Sequence, residues 1–153
     1  MIPEIRVDGA RQLAQVSRAL KTASPALRRE LADGIREGTE PVKREAMAEL
    51  SAVLPIRGGA SAQIPPTAKV VTQRLGGRAS PGLRLRATSP GARRNLQAID
   101  RGILRHPLFG NRDHWFTTRV PPGWFSRPTT AAMPRLRKVL VDRMNTVARK
   151  IGR

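Results

Sequence analysis

The stretch from Arg105 to Phe125, RHPLFGNRDHWFTTRVPPGWF, gathers the residue types that can do chemistry. It holds both histidines (His106, His114), both tryptophans (Trp115, Trp124) and all three phenylalanines (Phe109, Phe116, Phe125) of a chain that is only 3% aromatic. His106, Asn111 and His114 suggest a His-Asn-His type nuclease, in which one histidine activates water and another binds a metal. That chemistry also needs a hairpin and helix with a further ligating side chain after the asparagine, and Pro121-Pro122-Gly123 stands there instead. Adjacent Asp113 and His114 point to opposite faces of a strand, so they do not share a metal. Beyond residue 54 the acids are Asp100, Asp113 and Asp142 alone, which leaves few general acids or bases. Gly58-Gly59 and Gly76-Gly77 lack the context of a phosphate loop and read as turns. The sequence predicts no catalytic residue, no metal and no cofactor.

Two other chemistries fit the window. Arg interleaved with Trp and Phe can contact phosphates and stack on bases, although no helix-turn-helix, RNA-recognition or zinc-finger signature accompanies it. The same residues on a rigid, proline-bounded segment are those of a protein–protein contact, where Trp and Arg carry much of the binding energy. On that reading Arg105, His106, Pro107, Phe109 and Asn111 are subunit-contact residues, together with Trp115, Pro122, Trp124 and Phe125. Arg84, Arg86, Arg93 and Arg94 are the candidate contacts to DNA or to an acidic partner.

Charge distribution supports a polyanionic or acidic partner. The formal net charge is +18 over 153 residues. Residues 1–54 carry 9 basic and 8 acidic side chains, residues 55–92 carry 6 and none, and residues 93–153 carry 14 and 3. Such a one-signed field attracts polyanions and repels copies of itself unless it is neutralised. Hydrophobic content is 39%, which limits the core of what reads as one domain. With no cysteine there is no disulfide and no thiolate site. The start, MIPEIRVDGARQ, has no basic region followed by an apolar one, so no signal peptide is expected. No run approaches the roughly 18 apolar residues of a membrane helix.

The elements that must position the window follow from periodicity. Leu13, Val16, Ala19 and Leu20 make a short amphipathic pattern after Asp8. Ser24-Pro25 then signals a helix start. Leu27, Leu31, Ile35, Val42, Ala46, Leu50 and Val53 keep helical phase through Gly34, Gly38 and Pro41, which predicts one long helix kinked near 37–41. Residues 1–54 are therefore read as helical and residues 55–66, rich in Gly and Pro, as a loop. Residues 67–125 read as a small antiparallel sheet with long loops: Lys69–Thr72 and Gly82–Ala87 alternate as strands, Asn95–Ile103 is a helical turn or an irregular approach, and Asp113–Val120 is a further strand. Met133, Leu136, Leu140, Met144, Val147 and Ile151 stripe a C-terminal amphipathic helix over 129–152. The expected class is α+β in a single domain.

One resemblance covers nearly the whole chain. It rests on the long N-terminal helical part, the Leu54-Pro55-Ile56-Arg57-Gly58-Gly59 loop, Gly102-Ile103-Leu104-Arg105-His106-Pro107-Leu108-Phe109-Gly110-Asn111, a following Trp, Val120-Pro121-Pro122-Gly123-Trp124-Phe125 and the last helix. This layout resembles the neck or tail-completion proteins of long-tailed bacteriophages, a family typified by a tail-component protein of coliphage Hong Kong 97, in the version found in phages of actinobacteria. The resemblance implies a non-enzymatic virion protein, made in the host cytoplasm. It implies a homo-oligomeric ring at the head–tail junction, joining the head-side connector or stopper to the tail-terminator or tail-tube proteins around the DNA channel.

Overall fold

A computed structural model describes residues 4–8, 25–75, 82–90, 93–108 and 111–151. Along the chain it places β1 (Glu4–Asp8), α1 (Pro25–Val53), α2 (Ala60–Thr67), β2 (Lys69–Leu75), β3 (Gly82–Thr88), α3 (Arg93–Asp100), β4 (Ile103–Leu108), β5 (Asn111–Arg119) and α4 (Ser126–Ile151). The class is α+β, as the patterns predict. The Leu13–Leu20 pattern lies outside the described residues.

The apolar stripe of α1 does what its spacing requires. Val42, Ala46 and Leu50 are fully buried, Ile35 and Val53 pack at the edge, and Leu54 continues the row. Burying a side chain such as Leu50 contributes about 1.5–3 kcal/mol. The helix runs unbroken through Pro41, whose ring stands exposed on the outer side. Next to that missing donor, the Thr39 hydroxyl donates back to the Ile35 carbonyl at 2.8 Å and receives a bond from Thr72 of β2 at 3.3 Å.

α4 lies antiparallel along α1. Lys150 pairs with Glu30 at 2.7 Å, Arg143 pairs with Glu37, and Leu136 and Val139 reach Gly38. A Cβ at Gly38 would stand 3.1 Å from Leu136 Cδ1 and 3.2 Å from Val139 Cγ1. Gly38, a helix-weakening residue by propensity, is thus the notch that admits α4.

The three-stranded antiparallel sheet has the order β1-β3-β2. In β3, Leu85 and Ala87 turn inward and are buried, while Arg84 and Arg86 alternate to the opposite face, where both are half-buried. The β2–β3 return is the hairpin that the Gly and Pro signals predict, registered from Lys69↔Thr88 to Leu75↔Gly82. Three expectations are corrected. Residues 1–54 are not helical throughout, because EIRVD alternates with period two and pairs with β3 as Glu4↔Arg86 to Asp8↔Gly82. Residues 55–66 are not all loop: α2 forms despite Pro65 and Pro66. It is short enough to keep few internal bonds, and it is held by burial of Ile64 and by Ala68 N–H donating to Ile64 O at 3.0 Å. Asp113–Val120 does not join the first sheet. β5 pairs with β4 in a separate two-stranded sheet.

Candidate functional site

The window from 105 to 125 divides into two parts with opposite roles. Its end, Trp124-Phe125, is interior. Trp124 and Phe125 are 0% and 1% exposed, with ring centroids 5.6 Å apart. The Trp124 indole N–H donates to the Leu96 carbonyl of α3 at 3.0 Å. Asp100, at the end of α3, accepts from the backbone N–H of Phe125 at 2.9 Å and of Ser126 at 3.0 Å through one carboxylate oxygen. These are donors that the start of α4 would otherwise leave unpaired, and the negative charge sits at the positive end of the helix. Gly123 N–H donates to Asp100 O at 2.8 Å, and Val120 N–H to Gly102 O at 3.0 Å. Gly102 has φ +87, and a Cβ there would lie 2.9 Å from Val120 O. The Pro-Pro-Gly-Trp-Phe run is therefore an internal clasp that fixes α3, β4 and α4 to one another. The assignment of Trp124 and Phe125 as subunit contacts is corrected: their side chains are spent on the chain's own core. Pro122 remains exposed beside the clasp, and its carbonyl accepts from Arg127 at 2.8 Å.

The first half is a projecting hairpin. The ladder pairs Ile103↔Arg119, Leu104↔Thr118, Arg105↔Thr117, His106↔Phe116 and Pro107↔Trp115, and then shifts to Leu108↔Asn111. That shift leaves 112–114 as an extra polar tip on the β5 side. Cross-strand partners share a face, so one face carries Ile103, Arg105, Pro107, Trp115, Thr117 and Arg119. The other carries Leu104, His106, Phe116 and Thr118. Among the ladder residues whose burial is described, only Leu104 at the base is buried. Thr118 is half-buried, and every other residue of β5 is exposed. Trp115 is 50% and Phe116 49% exposed, one on each face. A two-stranded hairpin with wet faces is marginal by itself, and Trp115 and Phe116 leave it with apolar surface open on both faces.

Local bonds hold the ribbon in shape. The Arg105 guanidinium lies 5.9 Å from the Trp115 ring centroid. The Trp115 indole donates to Arg112 O at 2.7 Å, and Asp113 N–H donates to the Asn111 side chain at 2.9 Å. His106 Nε2 stands 3.0 Å from Thr118 Oγ1, and His114 Nδ1 stands 3.4 Å from the Asn111 amide. Each histidine is thus engaged with a hydroxyl or an amide. Among the described residues, no group of three His, Cys, Asp or Glu side chains is placed to hold a metal. Two open concavities, of about 710 Å³ beside Asp142, Asn145, Thr146 and Arg149 and about 460 Å³ between α1 and β2, are lined by neither histidine nor any hairpin residue.

The other expected contacts disperse. Arg105 and Asn111 are exposed on the hairpin, while His106 and Pro107 are half-buried. Phe109 lies outside the described residues. Arg84 and Arg86 are half-buried on β3, and Arg93 and Arg94 open α3, described by their backbone alone. What sequence reasoning missed is Phe116, Thr117 and Arg119 as surface residues, although the alternation of DHWFTTRV carries that signal. No helix among the described residues is long and apolar enough to cross a membrane. No protein-family model, curated protein or solved structure matches the chain.

Proposed function

We propose that this chain is a non-enzymatic structural subunit of a bacteriophage virion, one copy in a ring at the head–tail junction around the DNA channel. The hairpin is the arm by which it grips a neighbouring subunit or the adjoining ring. The observation that carries this reading is the exposure of Trp115 and Phe116 on opposite faces of a ribbon outside the core. An arm with an aromatic on each side can hold a different body against each face. The layout of the sequence supports the same reading, and so does a core held to two helices over a small sheet. The one-signed charge suits a subunit that encircles DNA.

The test is direct. Gold-labelled antibody against the chain, applied to purified virions of a phage that encodes it, is expected to decorate the junction of head and tail. Inactivating the gene is expected to leave DNA-filled heads and detached tails. Purified infectious virions that lack the chain would overturn the proposal.

A further inference from the structure

The two hairpin faces differ in charge. In the paired ladder, the Phe116 face carries Leu104, His106 and Thr118 and no carboxylate or guanidinium. The Trp115 face carries Arg105 and Arg119, with Thr117 between them and no acid. Both guanidiniums are on exposed residues. Arg105 is held over the Trp115 ring at 5.9 Å, and that ring is held by its own indole bond at 2.7 Å. The cation is therefore positioned before any ligand arrives, which lowers the ordering cost of binding.

Charge chooses the occupant. From residue 55 onward the chain carries 20 basic and 3 acidic side chains, so the long-range field draws in a polyanion. We propose that the Arg105–Trp115–Arg119 face contacts the phosphate backbone of duplex DNA. The two guanidiniums and the Thr117 hydroxyl lie on phosphates, and the Trp115 ring lies against the sugar edge. The Phe116 face is left to a protein neighbour. This assignment replaces Arg84 and Arg86 as the principal DNA contacts: both are half-buried on β3, and β1 sets Glu4 opposite Arg86. The inference rests on the ring reading for its biology, since the genome is the duplex that passes through the ring. Its physical content is separate.

The two tryptophans make the test local. Trp124 is fully buried, so DNA on this face changes the fluorescence of Trp115 alone. A random-sequence duplex titrated into the full chain is expected to protect emission from iodide quenching, and Trp115→Phe is expected to abolish that protection. Each of Arg105→Gln and Arg119→Gln is expected to lower the slope of log affinity against log salt by about 0.9. Arg135→Gln with Arg137→Gln removes the same charge as the two hairpin changes combined, from exposed positions on α4, and is expected to change the slope less than that hairpin pair does. DNA binding with Trp115 emission unchanged would overturn the proposal. So would equal slope changes for the hairpin and α4 pairs, or hairpin variants that lose self-association while binding DNA as before. The mass of the assembly, read in parallel, reports the ring reading independently, because glutamine at 105 and 119 leaves the Phe116 face intact.

Discussion

Asp100 and Phe125, separated by 25 positions in sequence, are joined by a 2.9 Å bond from the Phe125 backbone N–H to the Asp100 carboxylate. The same oxygen takes the Ser126 N–H, so a residue at the end of α3 caps the start of α4. Asp100→Ala is expected to destabilise the fold by about 1–2 kcal/mol, as for loss of a helix cap. Urea denaturation of the two proteins measures it. Asp100→Asn keeps an acceptor and is expected to lose less.

The two tryptophans are expected to respond oppositely to truncation. Trp124→Ala removes a fully buried ring and the indole bond to the Leu96 carbonyl, so a loss of about 3–5 kcal/mol is expected. Trp115→Ala changes an exposed position and is expected to shift stability by about 0.5 kcal/mol or less. Thermal unfolding of both variants separates core from surface in one experiment.

α1 offers a second contrast. In a solvent-facing helix Gly→Ala gains up to about 1 kcal/mol. At Gly38 the added atom meets Leu136 and Val139 at 3.1 and 3.2 Å, so Gly38→Val is expected to cost about 1–3 kcal/mol through overpacking. Pro41→Ala, on the exposed side, restores a backbone donor and is expected to raise stability. The midpoint of chemical denaturation decides both signs.

Glu40 supplies a small pH dependence. Its hydrogen bond from Lys43 at 2.9 Å, and then the Lys43 charge, hold its carboxyl below the ordinary 4.5. A lowered folded-state value means that this stabilisation is complete above pH 4.5 and is lost as pH falls below it. The pair is partly exposed, so the amount is about 0–1 kcal/mol. Glu40→Gln is expected to flatten the stability profile in that acid range and to leave it unchanged near neutrality.

Much of this architecture is legible in the residues. The stripes Val42–Ala46–Leu50 and Leu136–Val147 and the alternation of Leu85 and Ala87 were sufficient, because a buried face imposes its period directly. α2 is not legible: Gly58-Gly59 and Pro65-Pro66 argue for a loop, and burial of Ile64 with the Ala68 N–H bond to its carbonyl makes a helix of it. β1 is a five-residue pattern that takes its meaning from a partner 74 or more positions away in register. The candidate site was legible in location but not in division. Trp115 and Trp124 are alike as letters. Their separation into surface and core depends on Leu96 and Asp100, which no local pattern connects to the Pro-Pro-Gly-Trp-Phe run.

On the proposed reading the hairpin assembles and the Pro-Pro-Gly-Trp-Phe clasp only folds. Light scattering and thermal unfolding of the purified chain and of Trp115→Thr/Phe116→Thr test it together. The parent chain is expected to form a discrete multi-subunit species, and the variant to stay a monomer that still unfolds in one cooperative transition. A variant that assembles as the parent does, or a parent that remains monomeric at every concentration, would contradict it.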